Sequence, residues 1–413
     1  MVPVEFSLND VPRASQDEFF DYLNAALRRF PMSGATSALT ELGSLEAEYK
    51  GYIDVGSERV ETVWRVQRSA DGRLTPLSLS AHDVSLETAA WKEAAHSFVR
   101  DVLLATLARK RARFFHQQVM TYCGPPLDGE YWFGRCRLAP VREADTRGVP
   151  GAEQVALIEQ DVEAIDAVHS RALGFEAALR LGARLAVLLD VGLSTPDTTP
   201  RWIAYDSQDP TRVENRLCIP GFWSDQMTRT SMPAKGTVCS LGKYRDDFST
   251  TRFSVGTAQT LKCPRLARRF FQFLAATDFA TRQAFDHCAR LYEVSLVAGM
   301  RYPTVRLAYQ VAAVDALRAG VAPQRTLKEF VREQFEESDL LDTLVDHYYG
   351  AVRSAHFHAG EFPLGDFQNA MAGFGDATDL ARMKHQYSGH RIMRGTILNW
   401  LASSSGIGHE IVM

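Results

Sequence analysis

An arginine and a histidine five positions apart, Arg353 and His358, are the residues of this chain whose types and spacing best suit phosphate chemistry. Histidine titrates near neutral pH, so it can give or take a proton during a reaction. Arginine never loses its charge, and its planar fork matches phosphate oxygens, so it can hold the extra negative charge that develops on phosphorus. The spacing alone is weak evidence, because Arg111 with His116 and Arg282 with His287 share it. Context separates the third pair: Arg353 closes a predicted helix, Ser354 follows it directly, and Gly360 lies two residues beyond the histidine. On a regular α-helix, residues five apart diverge by roughly 140°, given 3.6 residues per turn. The two side chains are therefore expected to converge only if the helix ends near His358, with Gly360 as its left-handed cap. A histidine in a last turn also meets the negative end of the helix dipole, which favours its protonated form.

Other side chains nearby have two readings each. Asp315 could orient Arg353 through a charge-assisted pair, or form a buried ion pair without a chemical role. Tyr349, beside Tyr348, could stack a base of a nucleic acid, or belong to the core. His356 is a candidate for touching substrate, with packing against the motif as its alternative. The most basic run, Arg109-Lys110-Arg111-Ala112-Arg113, could bind RNA, yet cations also gather at helix C-termini for dipole reasons.

The run from Asp346 to Gly360, DHYYGAVRSAHFHAG, resembles the R-x(4)-H signature of the HEPN superfamily. It is especially similar to the Apea-like branch, in which an aromatic stretch leads into R-S-x-x-x-H followed closely by glycine. The resemblance extends over residues 261–413 and does not touch residues 1–260. Asp315 stands where the family usually has glutamate, and Ser354 where other branches have asparagine, aspartate or histidine. The likeness implies an all-helical bundle and a metal-independent endoribonuclease with neither metal nor cofactor. In that chemistry the RNA's own 2′-OH attacks the adjacent phosphorus and leaves a 2′,3′-cyclic phosphate. His358 would be the acid/base, Arg353 the phosphate clamp, and Asp315 and Ser354 would support them. Family members pair these helices in a homodimer, so that two Arg/His sets share one cleft. Toxins and antiviral effectors that stay quiet until triggered are the roles it suggests. The competing reading is a non-catalytic HEPN module that binds RNA, a nucleotide or a protein partner.

The elements that must position these residues follow from periodicity. At 413 residues the chain exceeds one core, and two or three domains are expected. With 46% hydrophobic and 23% charged residues it has the balance of a globular protein. A net charge of −4 excludes a strongly basic nucleic-acid coat but not a local RNA site. Met1 to Asp10 lacks the basic and apolar pattern of a secretory signal. The most apolar stretch, Leu185–Leu193, is short and contains Asp190, so no membrane span is expected. Six cysteines without a C-x-x-C pair suggest reduced thiols in the cytoplasm. No phosphate-binding glycine loop, zinc-protease helix or serine-hydrolase elbow is present.

The first 260 residues read as α+β. Helices are expected over 15–29, 86–121 (opened by Ser85) and most of 152–193; strands over 46–80, with an Asp71-Gly72 turn, and over 129–141. Short strand-like pieces, including WIAYD, NRLCIPGFW and TRFSV, fill 194–260. Trp91, Trp132 and Trp202 are expected in the core or an interface. Beyond residue 260, segments 265–277, 281–297, 302–319, 326–335, 338–355 and 388–402 read as helices of a bundle. The expected organisation is a sensing or regulatory region over 1–260, with a subdivision near 150, followed by the helical domain over 261–413. A phage-derived or nucleic-acid trigger would act on the first region.

Overall fold

The computed structural model describes residues 4–6, 13–27, 34–39, 45–68, 77–141, 153–196, 201–206, 213–218, 224–235, 260–264, 266–299, 301–335, 339–367 and 377–407. They form two compact units, one of residues 1–114 with 162–173, the other of 115–161 with 174–413. The units thus divide elsewhere than at residue 260, and the reason lies in how the apolar residues cluster.

The first unit carries five antiparallel strands in the order β1-β5-β4-β3-β2: β1 Val4–Phe6, β2 Gly34–Leu39, β3 Leu45–Val55, β4 Glu58–Arg68 and β5 Leu77–Ala81. Helices α1 (Arg13–Leu27) and α2 (Ala89–Leu107) complete it. Phe19, Leu23 and Leu27 of α1 share one core with Trp64, Leu77 and Leu79 of the sheet and Trp91 and Val99 of α2. Trp91 is buried as expected, its indole N–H donating to Thr62 Oγ1 at 3.2 Å. The cap of α2 is Thr88, whose side chain accepts from Trp91 N, rather than Ser85.

Two expected helices are shorter than the sequence pattern suggests. The one over 86–121 stops at Leu107; Arg109 takes a left-handed φ of 47°, and β6 (Ala112–Cys123) follows. The one over 152–193 is divided between strand β9 (Glu153–Ala164) and helix α3 (Ala167–Leu189). In β9 six successive residues, Val155–Gln160, are buried. A strand covered on both faces loses its alternation, and a short apolar run then looks the same as a buried helix. The basic run is engaged locally: Glu18 of α1 meets Arg111 at 3.0 Å and Arg109 at 3.8 Å.

In the second unit, β7 (Tyr131–Phe133) and β8 (Cys136–Pro140) form a hairpin, and the sheet order is β6-β9-β8-β7. Strands β10 (Arg201–Asp206) and β11 (Val213–Cys218) pair separately. The Asp71-Gly72 turn, the TRFSV strand and the side chain of Trp202 lie outside the described residues. The rest is helical: α4 Ala267–Ala276, α5 Phe279–Ala298, α6 Pro303–Val321, α7 Leu327–Arg332, α8 Asp339–His347, a π-helix Tyr348–Ala359, and α9 Ala377–Ser404. Local chemistry sets these ends: Asp278 caps α5, Pro303 opens α6, and Thr326 with Glu329 makes a reciprocal capping box on α7. Gly320 lies inside α6 rather than after it. A Cβ there would come within 2.3 Å of Ala284 Cβ, so glycine lets α5 and α6 cross closely. One hydrophobic core joins Met120, Ile158 and Leu185 to Phe285, Val314, Tyr348 and Ile397. The helices past residue 260 bury their apolar faces partly against the 115–161 strands and α3, which is why the compact unit begins far upstream. The chain is therefore α+β in its N-terminal part and helical in its C-terminal part. Among the described residues no helix is long and apolar enough to cross a membrane.

Candidate functional site

Arg353 and His358 lie on the π-helix, which continues α8 without a break and ends at Gly360. At its end the Gly360 N–H bonds His356 O at 3.1 Å, four residues back, and the Glu361 N–H bonds Ala355 O at 3.2 Å. Gly360 adopts φ 68° and ψ 23°, the left-handed cap expected there, and a Cβ on it would meet nothing within 4 Å. The glycine is needed for its backbone alone. The expectation of 140° divergence assumed an α-helix. In a helix bonded i→i+5 the turn is wider, so residues five apart, such as Arg353 and His358, diverge less around the axis than they would on an α-helix.

A helix this wide is held from outside. Tyr348 and Val352 are fully buried in the common core, and burial pushes the Tyr348 phenol up to about 12. Tyr348 is thus a core residue, whereas Tyr349 is 39% exposed. Phe357 meets Tyr309 of α6 edge to face at 5.3 Å. Arg353 lies over the rings of Tyr349, 5.1 Å from its centroid, and Phe357, at 5.9 Å. Such cation–π contacts fix a guanidinium without neutralising it.

The pairing with Asp315 is loose. Asp315 receives its hydrogen bond from Arg318 Nε at 2.8 Å, while Arg353 Nη2 stands 3.8 Å from the other carboxylate oxygen. That distance is an ion pair and not a hydrogen bond. The Nε–H of Arg353 is buried and, among the described residues, has no acceptor. The guanidinium is therefore held by two rings and one loose ion pair. His356 is half-buried; its Nδ1–H donates to Glu361 O at 3.2 Å, which ties the ring to the chain just past the cap. Ser354 is half-buried and His358 exposed, and among the described residues neither side chain has a hydrogen-bond partner.

A second polar centre went unnoticed in the sequence. Asp190, at the end of α3 with φ 55°, accepts from Tyr292 OH at 2.7 Å and from His390 Nε2 at 2.9 Å. Gln310 Nε2 lies 2.9 Å from His390 Nδ1. Arg394 stands 3.9 Å from Asp190 and donates to the carbonyls of Val187 and Leu188. Burial works to raise the Asp190 carboxyl, but His390, Arg394 and Arg306 outweigh it and hold the group well below the usual carboxylate range. The same burial, with Asp190 beside it, pushes the Tyr292 phenol up. Asp190 and His390 side chains are 5% and 9% exposed, so this network ties α3, α5, α6 and α9 together rather than facing a substrate. The signal was Asp190 itself, a lone carboxylate in the apolar run Leu185–Leu193, since buried charges are almost always paired. Also unforeseen, Glu293 of α5 is pushed up to about 8 by burial, and the His347 and His385 rings approach to 4.7 Å.

No group of three or more His, Cys, Asp or Glu side chains able to hold a metal ion occurs among the described residues. No family model, no curated protein and no solved structure matches the chain.

Proposed function

We propose that the C-terminal region is a HEPN-type endoribonuclease that cleaves RNA by attack of its own 2′-OH. The reading is supported by the wide-turned helix that carries Arg353 and His358, on which their five-residue spacing diverges less than on an α-helix. His358 takes the proton from the 2′-OH or returns one to the leaving 5′-oxygen. Arg353 donates to the phosphoryl oxygens as their charge grows, and its loose tie to Asp315 leaves it free to do so. Asp315 and Ser354 position the arginine end of the pair. Tyr349, half-exposed beside Arg353, offers a ring to a neighbouring base.

In this account the active form is a homodimer through the C-terminal helices, and the N-terminal region restrains or directs cleavage until a phage-derived or nucleic-acid trigger acts, as in a toxin or antiviral defence effector. The fit is to a protein working on RNA in the cytoplasm. The test is incubation of the full-length chain with total RNA in excess EDTA, followed by end-group analysis. Cyclic phosphate ends are expected; cleavage that vanishes with EDTA and returns with magnesium or manganese contradicts the mechanism. One observation favours the second reading, a non-catalytic module for RNA, nucleotide or a protein partner: among the described residues His358 has no neighbour that fixes its tautomer.

A further inference from the structure

The rings around the motif do not stop at Arg353. Phe357, under the guanidinium, lies 5.2 Å from His356. His356 lies 5.0 Å from Phe362, Phe362 lies 4.8 Å from Phe367, and Phe367 lies 5.7 Å from Tyr302 at the start of α6. The six side chains form one unbroken run from the proposed phosphate clamp past the helix cap and back to α6. Three of its rings are open to solvent: Phe357 is 42%, Phe367 72% and Tyr302 37% exposed.

We propose that this run is a track for single-stranded RNA, on which unpaired bases next to the cleaved phosphate stack. The inference rests on the ribonuclease reading and extends it from the scissile phosphate to the flanking nucleotides. Its chemistry fits that occupant. Every base has a flat face, and exposed aromatic rings bind single strands by stacking whatever the base. A duplex keeps its bases inside and offers only backbone and groove. The charge is also suited. The run begins at the Arg353 guanidinium, and exposed Arg301 precedes Tyr302. Asp366, the acid beside Phe367, is turned away, its carboxylate receiving Thr304 N–H at 2.9 Å and the Thr304 hydroxyl. The exposed acid that remains is Glu361. In this unit the exposed aliphatics are on other segments, such as Leu340 on α8 and Leu380 and Met383 on α9.

Phe367 is the residue to change, because it is the most exposed ring and its removal leaves the buried core intact. The full-length chain carrying His358→Ala, to stop turnover, is titrated with a labelled short oligoadenylate, alone and annealed to its complement. Adding Phe367→Ala should weaken single-strand binding at least about fivefold, the loss of one stacked base. Phe367→Leu should do the same, Phe367→Trp should restore binding, and duplex affinity should not change. Equal single-strand affinity in the Ala, Leu and Trp variants overturns the track. So does a shift from dimer to monomer on light scattering with RNA affinity unchanged, because the run is then an interface between copies. The ribonuclease reading stands or falls separately, on whether the unsubstituted chain cleaves RNA. A chain with Phe367→Ala that still cleaves, with unaltered KM on single strands, sinks only the track.

Discussion

Helix α5 and the π-helix belong to the same unit and carry an arginine and a histidine at the same spacing, on different backbones. In α5 the turn is regular: Arg282 N bonds Asp278 O, four residues back. Arg282 and His287 therefore diverge around the helix axis, and the apolar face of α5, with Phe285, Cys288 and Tyr292, is sunk in the core. In the π-helix the turns are wider, and the same spacing diverges less around the axis. The third match, Arg111 with His116, is extended; His116 lies on β6, where residues five apart face opposite ways. A spacing in sequence thus acquires chemical meaning only through the turn that carries it.

If α5 is a structural helix, disturbing the network it shares should cost stability. Asp190→Ala leaves Tyr292, His390 and Arg394 facing an empty position, and breaking a buried charged pair typically costs about 3–5 kcal/mol. Urea denaturation measures it, and an unchanged midpoint would remove this role for α5. The pH dependence has a definite sign. The Asp190 carboxyl is depressed on folding, so its contribution is fully present above the ordinary carboxylate value of about 4 and is lost as pH falls further.

The π-helix should instead lose activity. Arg353→Ala is expected to lower the initial rate of RNA cleavage by about 10²–10³-fold, the usual cost of one charge-stabilising donor. Arg282→Ala should leave that rate unchanged. Equal losses in the two variants would show that the turn does not matter.

Smaller effects sharpen the contrast inside the π-helix. Gly360→Ala forces a Cβ into the left-handed region and should cost about 1–2 kcal/mol, read as a lower thermal midpoint with partial loss of cleavage. Gly350 also has open space around its Cβ position, but its φ is ordinary. Gly350→Ala should then be neutral or stabilise by up to about 1 kcal/mol. A destabilising Gly350→Ala would mean that the wide helix needs this glycine too.

Much of this site was legible because it depends on side-chain types and one cap. Arg353 stands 3.8 Å from Asp315, and Gly360 caps left-handed as its position past a histidine-bearing last turn suggests. The π-helix was not legible. Over twelve residues, Tyr348–Ala359, hydrophobic spacing cannot separate a turn closed at four residues from one closed at five. The aromatic run was hidden for another reason, since Tyr302 and Phe367 meet only after α6 returns beside the motif. In the fold, β9 was misread because a buried strand drops the alternation that marks it. The common core of α3 and the later helices depends on long-range packing that no local pattern records.

The central claim, that the turn and not the spacing makes the site, is tested most directly by comparing two alanine variants in one assay. Single-turnover cleavage of RNA in excess EDTA is measured for the full-length chain, His358→Ala and His287→Ala, with circular dichroism confirming that all three are folded. His358→Ala should be slower by about 10²–10⁴-fold, the range for losing a general acid or base, while His287→Ala cleaves like the unsubstituted chain. Identical rates in all three would contradict the account and leave the Arg353/His358 pair as a feature of the fold.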